Sequence, residues 1–265
     1  MMLTLILFLL AGTLLPLFPL SMGTNWLLQA DHPGRLGETR TLAALLLLMP
    51  LLGVGLIALG LALAEDRAAA LTTPFALWGG ASSLFYAFRL LSVRDGRIWL
   101  AQLYSSALAL IWVGIAHQVP PLLPALGLTL SLLPLLFLFD SLARRFGIAR
   151  AGLYPGLASR MPRFSVLFVG AVLCAVAVPF SPGFFAIVDL AFGGVGRNEL
   201  LTLLPLGLSW LLWTWAGIQL LGGIVFGSPR DDLRYRDLEP AAARAQSAGL
   251  LALAVFGLFL VETAL

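Results

Sequence analysis

In an otherwise apolar chain, four side chains carry charge at positions where hydrocarbon is expected: Arg89, Asp140, Asp189 and Glu262. A carboxylate in such a place can take up and release a proton or hold a cation. An arginine can only hold an anion, because its guanidinium stays protonated. Burying any of them costs at least about 2.5–3.5 kcal/mol, so each needs a partner or a task. Arg89 either pairs with Asp140 at a similar depth or snorkels to the water interface. Asp140 has a second partner within reach, Arg144 at i+4. Asp189 follows a proline-rich interruption and is the best candidate for an ion site; the alternative is an interfacial carboxylate meeting Arg197. Glu262 reads as interfacial. What is missing matters as much. All 16 basic residues are arginine and none is lysine, so the chain has no amine that could titrate inside a membrane.

The elements that must position these groups follow from composition. Of 265 residues, 60% are hydrophobic and only 11% are charged, against about 25% charged in a soluble domain. This is an all-α, polytopic membrane helix bundle. Apolar stretches of spanning length fall at 2–21, 41–64, 72–93, 98–117, 120–141, 164–195, 200–226 and 247–264, which makes about eight transmembrane helices. The first reads as a retained span rather than a cleaved signal. The sixth is too long for one straight crossing and contains Pro179-Phe180-Ser181-Pro182-Gly183, so 164–195 is expected to be one broken helix. Thirteen arginines lie in the loops after spans one, three, five and seven, two lie in the alternate loops, and Arg89 lies in span three. The positive-inside rule then puts both termini in the periplasm of a bacterial inner membrane. The basic loops 142–163 and 227–246 face the cytoplasm, where a soluble subunit could dock.

Other polar groups read as structural. Gln102 and Gln219 serve as interhelical glue, Trp210, Trp213 and Trp215 as packing, and His117 as an exposed histidine at the outer end of span four. Gly79 to Ser83 allow close helix contact. Cys174 stands alone, and His32 and His117 are too far apart for a metal claim. No cofactor, metal or nucleic acid is expected, and no catalytic serine, cysteine or carboxylate pair is evident.

From residue 81 onward three ordered segments carry a resemblance. The first is Ser83-Leu84-Phe85-Tyr86-Ala87-Phe88 with Asp95-Gly96-Arg97 and Leu100 to Ser106. The second runs from Leu135-Leu136-Phe137-Leu138 through Arg144-Arg145 to Gly156-Leu157-Ala158-Ser159-Arg160-Met161-Pro162-Arg163. The third is Pro179 to Phe185 with Phe226-Gly227-Ser228-Pro229. Together they resemble the antiporter-like membrane subunits of respiratory complex I, whose relatives include hydrogenases, cation/proton antiporters and inorganic-carbon uptake systems. The resemblance implies a division into 1–80, poorly matched N-terminal helices, and 81–265, an antiporter-like C-terminal half bundle. It also implies a file of buried titratable residues, and here the chain departs from the family. The family's lysine and histidine positions fall at Arg97 or Ile98, Leu108 or Ala109, Leu133, and Ala186 or Ile187.

The expectation is therefore a non-catalytic subunit related to the complex I antiporter-like proteins. It would anchor or scaffold a larger ion- or inorganic-carbon-coupled complex, with other membrane subunits and membrane lipid as partners and little proton conduction of its own. The alternative is an active proton or cation transporter subunit using Asp189 and Asp140. A third reading is an unrelated eight-helix transporter of lipid or small solutes.

Overall fold

A computed structural model of the chain describes residues 2–29, 36–64, 68–195 and 200–264. Among them are twelve helices and no strand, only an isolated bridge between Asp95 and Arg150. Proline explains why helices outnumber crossings. α1 (Met2–Leu14) and α2 (Met22–Gln29) are separated by a stretch holding Pro16 and Pro19, while α9 (Pro162–Ala175) and α10 (Pro182–Val195) are separated by one holding Pro179. Each pair makes one pass, interrupted near its middle. α5 (Gly96–Ala109) and α6 (Ile111–Ala116) also form one pass, bent at Leu110. α3 (Leu36–Ala64), α4 (Ala68–Leu90), α7 (Leu122–Phe146), α11 (Leu200–Ile224) and α12 (Pro240–Ala264) are single passes. A four-residue turn of helix, α8 (Leu157–Arg160), lies in the connection before α9.

Contacts between passes order these elements from one end of the bundle to the other. Phe8 faces Gly60 and Leu15 faces Gly53, so α1 runs antiparallel to α3. Leu28, at the end of α2, shares a small cavity with Arg97, Leu100 and Leu136. The α1–α2 pair therefore reaches the end at which α5 begins. α10 returns to the other end, where Gly193 lies against His117 and Val119. Eight passes result, and every described arginine, from Arg40 to Arg244, lies at or near one end. The chain is a multi-pass membrane protein. Among the described residues, five helices are long and apolar enough to cross a membrane by length and composition.

Two expectations are corrected. The first crossing extends beyond 2–21 to Gln29, because Pro16 and Pro19 interrupt it as the later prolines interrupt 164–195. His117 is not exposed but only 4% accessible, because the end of α10 packs over it.

One core cluster runs from Phe8 to Leu238. Its axis is the α5–α6 pass, whose apolar stretch is 94% buried, while that of α12 is 11% buried. At the arginine-rich end the connections are fixed to one another. Gly152, Gly156 and Ala158 donate their backbone N–H groups to the carbonyls of Gly223, Phe226 and Val225. Gly156 has φ of 77°, and a Cβ there would stand 2.7 Å from the Gly227 carbonyl oxygen, so only glycine fits. Asp237 accepts from the backbone N–H groups of Arg163 and Phe164, at 3.0 Å each, and so caps α9 from the far side of α11. Tyr154 donates to the Ile148 carbonyl and accepts from the Arg150 N–H, and burial pushes its phenol up to about 12.

Candidate functional site

An ion path through such a bundle would use its helix breaks, because a broken helix exposes N–H and C=O groups that can hold ions or substrate. At the α9–α10 break these groups are claimed by protein. Val178 donates to the Leu173 carbonyl and Ala177 to that of Cys174, with Ala177 at φ of 59°, which closes the end of α9. The Val176 carbonyl accepts from the Trp210 indole at 3.2 Å. On the α10 side, Gly183 donates to Ser131 Oγ at 2.8 Å and Phe184 donates to Ser181 Oγ. Gly127 lets α7 approach this point: a Cβ there would lie 2.7 Å from the Pro182 carbonyl oxygen. The α1–α2 break follows the same scheme. The carbonyls of Leu15 and Phe18 accept from the indoles of Trp112 and Trp78, and the Phe18 N–H donates to Ser82 Oγ.

Between the two breaks lies a network of neutral groups. Ser83 Oγ donates to Ser209 Oγ at 2.8 Å, Ser106 Oγ donates to the Ser83 carbonyl, and the Trp213 indole donates to Ser106 Oγ at 2.7 Å. Ser21 meets Tyr86, and Ser105 donates to Asn25. The network ties α2, α4, α5 and α11 together and contains no acid, amine or imidazole. Trp210 and Trp213 pack as expected and in addition donate their indole N–H groups, whereas Trp215 faces outward. Gln219 lies between the Leu91 carbonyl and the Trp215 indole and can bridge them. Gln102 is buried, and its Oε1 has no hydrogen-bond partner.

The ionisable candidates are not gathered. Asp140 is 2% exposed and lies 2.9 Å from Arg144 Nη2, one turn on along α7. That contact is a close ion pair whose angles fall short of a hydrogen bond, so both carboxylate oxygens lack a donor. Arg89 is exposed at the end of α4, its guanidinium 5.7 Å from the centre of the Phe85 ring. Of the alternatives open at these two residues, Asp140 takes the i+4 pair with Arg144, and Arg89 is exposed at the end of its helix. Asp189 is half-buried on the outward face of α10 beside Phe185, Val188 and Phe192, and it pairs with no described residue. Arg197 and the side chain of Glu262 lie outside the described residues. Gly127 of α7 packs against Ala186 of α10, so Asp189 is level with the first turn of α7. Asp140 is about sixteen residues further along that helix, or about 24 Å at ~1.5 Å per residue.

Apart from Arg97, a charged residue partly exposed at the start of α5, the positions where the resemblance puts titratable groups are hydrocarbon. Leu108, Ala109, Ala186 and Ile187 are buried, and Leu133 packs partly buried against the core. Among the described residues no three His, Cys, Asp or Glu side chains cluster as a metal site.

No family model matches the sequence. An uncharacterized protein of Aquifex aeolicus is 23% identical over 158 residues, covering 60% of this chain and 65% of that protein. Solved structures reach further. A chain of respiratory complex I from Thermus thermophilus superposes with a TM-score of 0.77 at 21% identity, over 97% of this chain and 54% of that one. A chain of the Mrp complex from Dietzia sp. gives a TM-score of 0.86 at 14% identity, over 98% and 57%. The fold is the antiporter-like one. A chain of the membrane-bound sulfane sulfur reductase, an archaeal respiratory membrane complex, agrees with a TM-score of 0.84 at 16% identity, over 99% and 53%. This chain thus spans about half the length of the solved antiporter-like chains it matches, and the likeness runs through its first 80 residues as well.

Proposed function

We propose that this chain is an antiporter-like subunit that anchors or scaffolds a larger ion- or inorganic-carbon-coupled complex in a prokaryotic cytoplasmic membrane, with little proton conduction of its own. One observation carries the reading. Where a proton file would run, the interior holds buried alkyl groups and neutral hydroxyls, and the two acidic candidates stand about 24 Å apart along the bundle. Each proton hop needs a donor and an acceptor in hydrogen-bond reach, or a polar cavity able to keep water. The helix breaks add support, since the groups they free are taken by indoles and hydroxyls rather than left for an ion. Both termini lie on the outer side and the arginine-rich end faces the cytoplasm. The connections 142–163 and 227–246, braced by Asp237, Tyr154 and Gly156, offer a cytoplasmic subunit an ordered platform.

The test is proton flux into liposomes containing only this purified chain, with an imposed pH gradient and a potassium diffusion potential. The expected rate is that of empty liposomes, and a rate well above it overturns the scaffold reading. A second reading rests on Asp189, a carboxylate on an apolar face with no described partner. If the chain conducts through Asp189 and Asp140, Asp189→Asn abolishes flux while assembly survives. Unchanged flux in that variant removes the transporter reading.

A further inference from the structure

The connection between α4 and α5 borders two adjoining cavities at the arginine-rich end. The inner one, about 430 Å³, is walled by Leu90, Leu91, Trp99, Ala216 and Leu220, with Gln219 and Arg94 among its polar residues. The outer one, about 550 Å³, is lined by Ser92, Asp95, Ile98 and Arg150. Val93 and Arg94 belong to both.

The charges of this groove are unequally engaged. Asp95 commits Oδ1 to the N–H groups of Arg97 and Ile98, capping α5. Arg94 and Arg150 are exposed, and neither makes an ion pair with a described residue. Next to the inner cavity, Leu211, Trp215 and Ile218 form an outward stripe on α11, each more than half exposed, at i, i+4 and i+7. Two available guanidiniums thus stand over an apolar chamber that continues into a membrane-facing apolar stripe. That is the chemistry of one amphiphile with an anionic head.

We propose that this groove binds an anionic phospholipid. Its phosphate lies between Arg94 and Arg150, and an acyl chain passes the Leu91, Trp99 and Leu220 wall and leaves along Leu211, Trp215 and Ile218. A free phosphate would satisfy the arginines but leave the apolar chamber unfilled. A zwitterionic lipid would bring its own ammonium beside the two guanidiniums and so add no net negative charge, whereas an anionic lipid brings a phosphate charge with no cation of its own. The site is independent of whether the chain conducts protons.

The test uses the full chain in nanodiscs of equal parts phosphatidylglycerol and phosphatidylcholine. Native mass spectrometry then reads the lipid retained after a detergent wash. Wild type is expected to retain phosphatidylglycerol over phosphatidylcholine, and Arg94→Gln with Arg150→Gln to lower that preference several-fold. Arg94→Lys with Arg150→Lys keeps it, because the charge remains. Arg234→Gln with Arg244→Gln removes the same charge elsewhere at the same end and leaves it unchanged. Equal retention of the two lipids by wild type overturns the proposal. So does an equal loss in the two glutamine pairs, which would mean diffuse attraction to the basic surface. Displacement of the lipid by millimolar inorganic phosphate would assign the arginines to a free anion instead.

Discussion

Ser131 serves both sides of a break: its hydroxyl accepts from Gly183 and donates to Gly127 one turn back on its own helix. Ser131→Ala leaves the Gly183 N–H without an acceptor in an apolar interior, at a cost of about 1–3 kcal/mol. Thermal unfolding in detergent should show a clear drop, and an unchanged midpoint would mean another group takes the N–H. Asp140 makes a sharper case. Arg144→Ala strands a carboxylate that is 2% exposed, which costs on the order of 3 kcal/mol, whereas changing both residues to apolar ones of similar size costs much less. If the single and double variants unfold alike, the pair is not what holds the charge there. The spacing of Asp140 and Arg144 made that pair legible in the sequence, because i+4 on a helix is a short-range rule. Ser131, Asn25 and Ser209 were not legible. Their partners lie 52, 80 and 126 residues away, and a lone serine in a span reads as a small packing residue.

Among the elements, the broken crossing at 164–195 could be read from excess length and two prolines three apart. The first crossing carries the same spacing, Pro16 and Pro19 against Pro179 and Pro182, yet its break is not legible in the same way. The run 2–21 has an ordinary spanning length, so its length alone gives no sign of an interruption. α2 is too short and too polar to announce itself as the rest of the pass. α9 depends on a distant residue. Its first N–H groups are capped by Asp237, so Asp237→Ala should cost about 0.5–2 kcal/mol and loosen 162–166 first. Hydrogen exchange localised to that turn checks this, and uniform exchange across α9 would contradict it. This cap was invisible in the sequence, because an N-cap normally comes from the residue just before the helix.

For the whole molecule, apolar content and the one-sided arginines were enough to give a helix bundle of eight passes, since lipid allows few alternatives. The placement of the neutral network was not, because it depends on which passes become neighbours. Its consequence is electrical. Among the described residues between Asp140 and Asp189 the bundle holds hydrocarbon and fixed, uncharged dipoles, so a transmembrane voltage should polarise this stretch without driving charge through it. In a planar bilayer the purified chain should add capacitance but no ohmic current, behaving as an insulating bushing for whatever conductor it is mounted beside. A steady pH-dependent current from the chain alone would show that the insulation leaks.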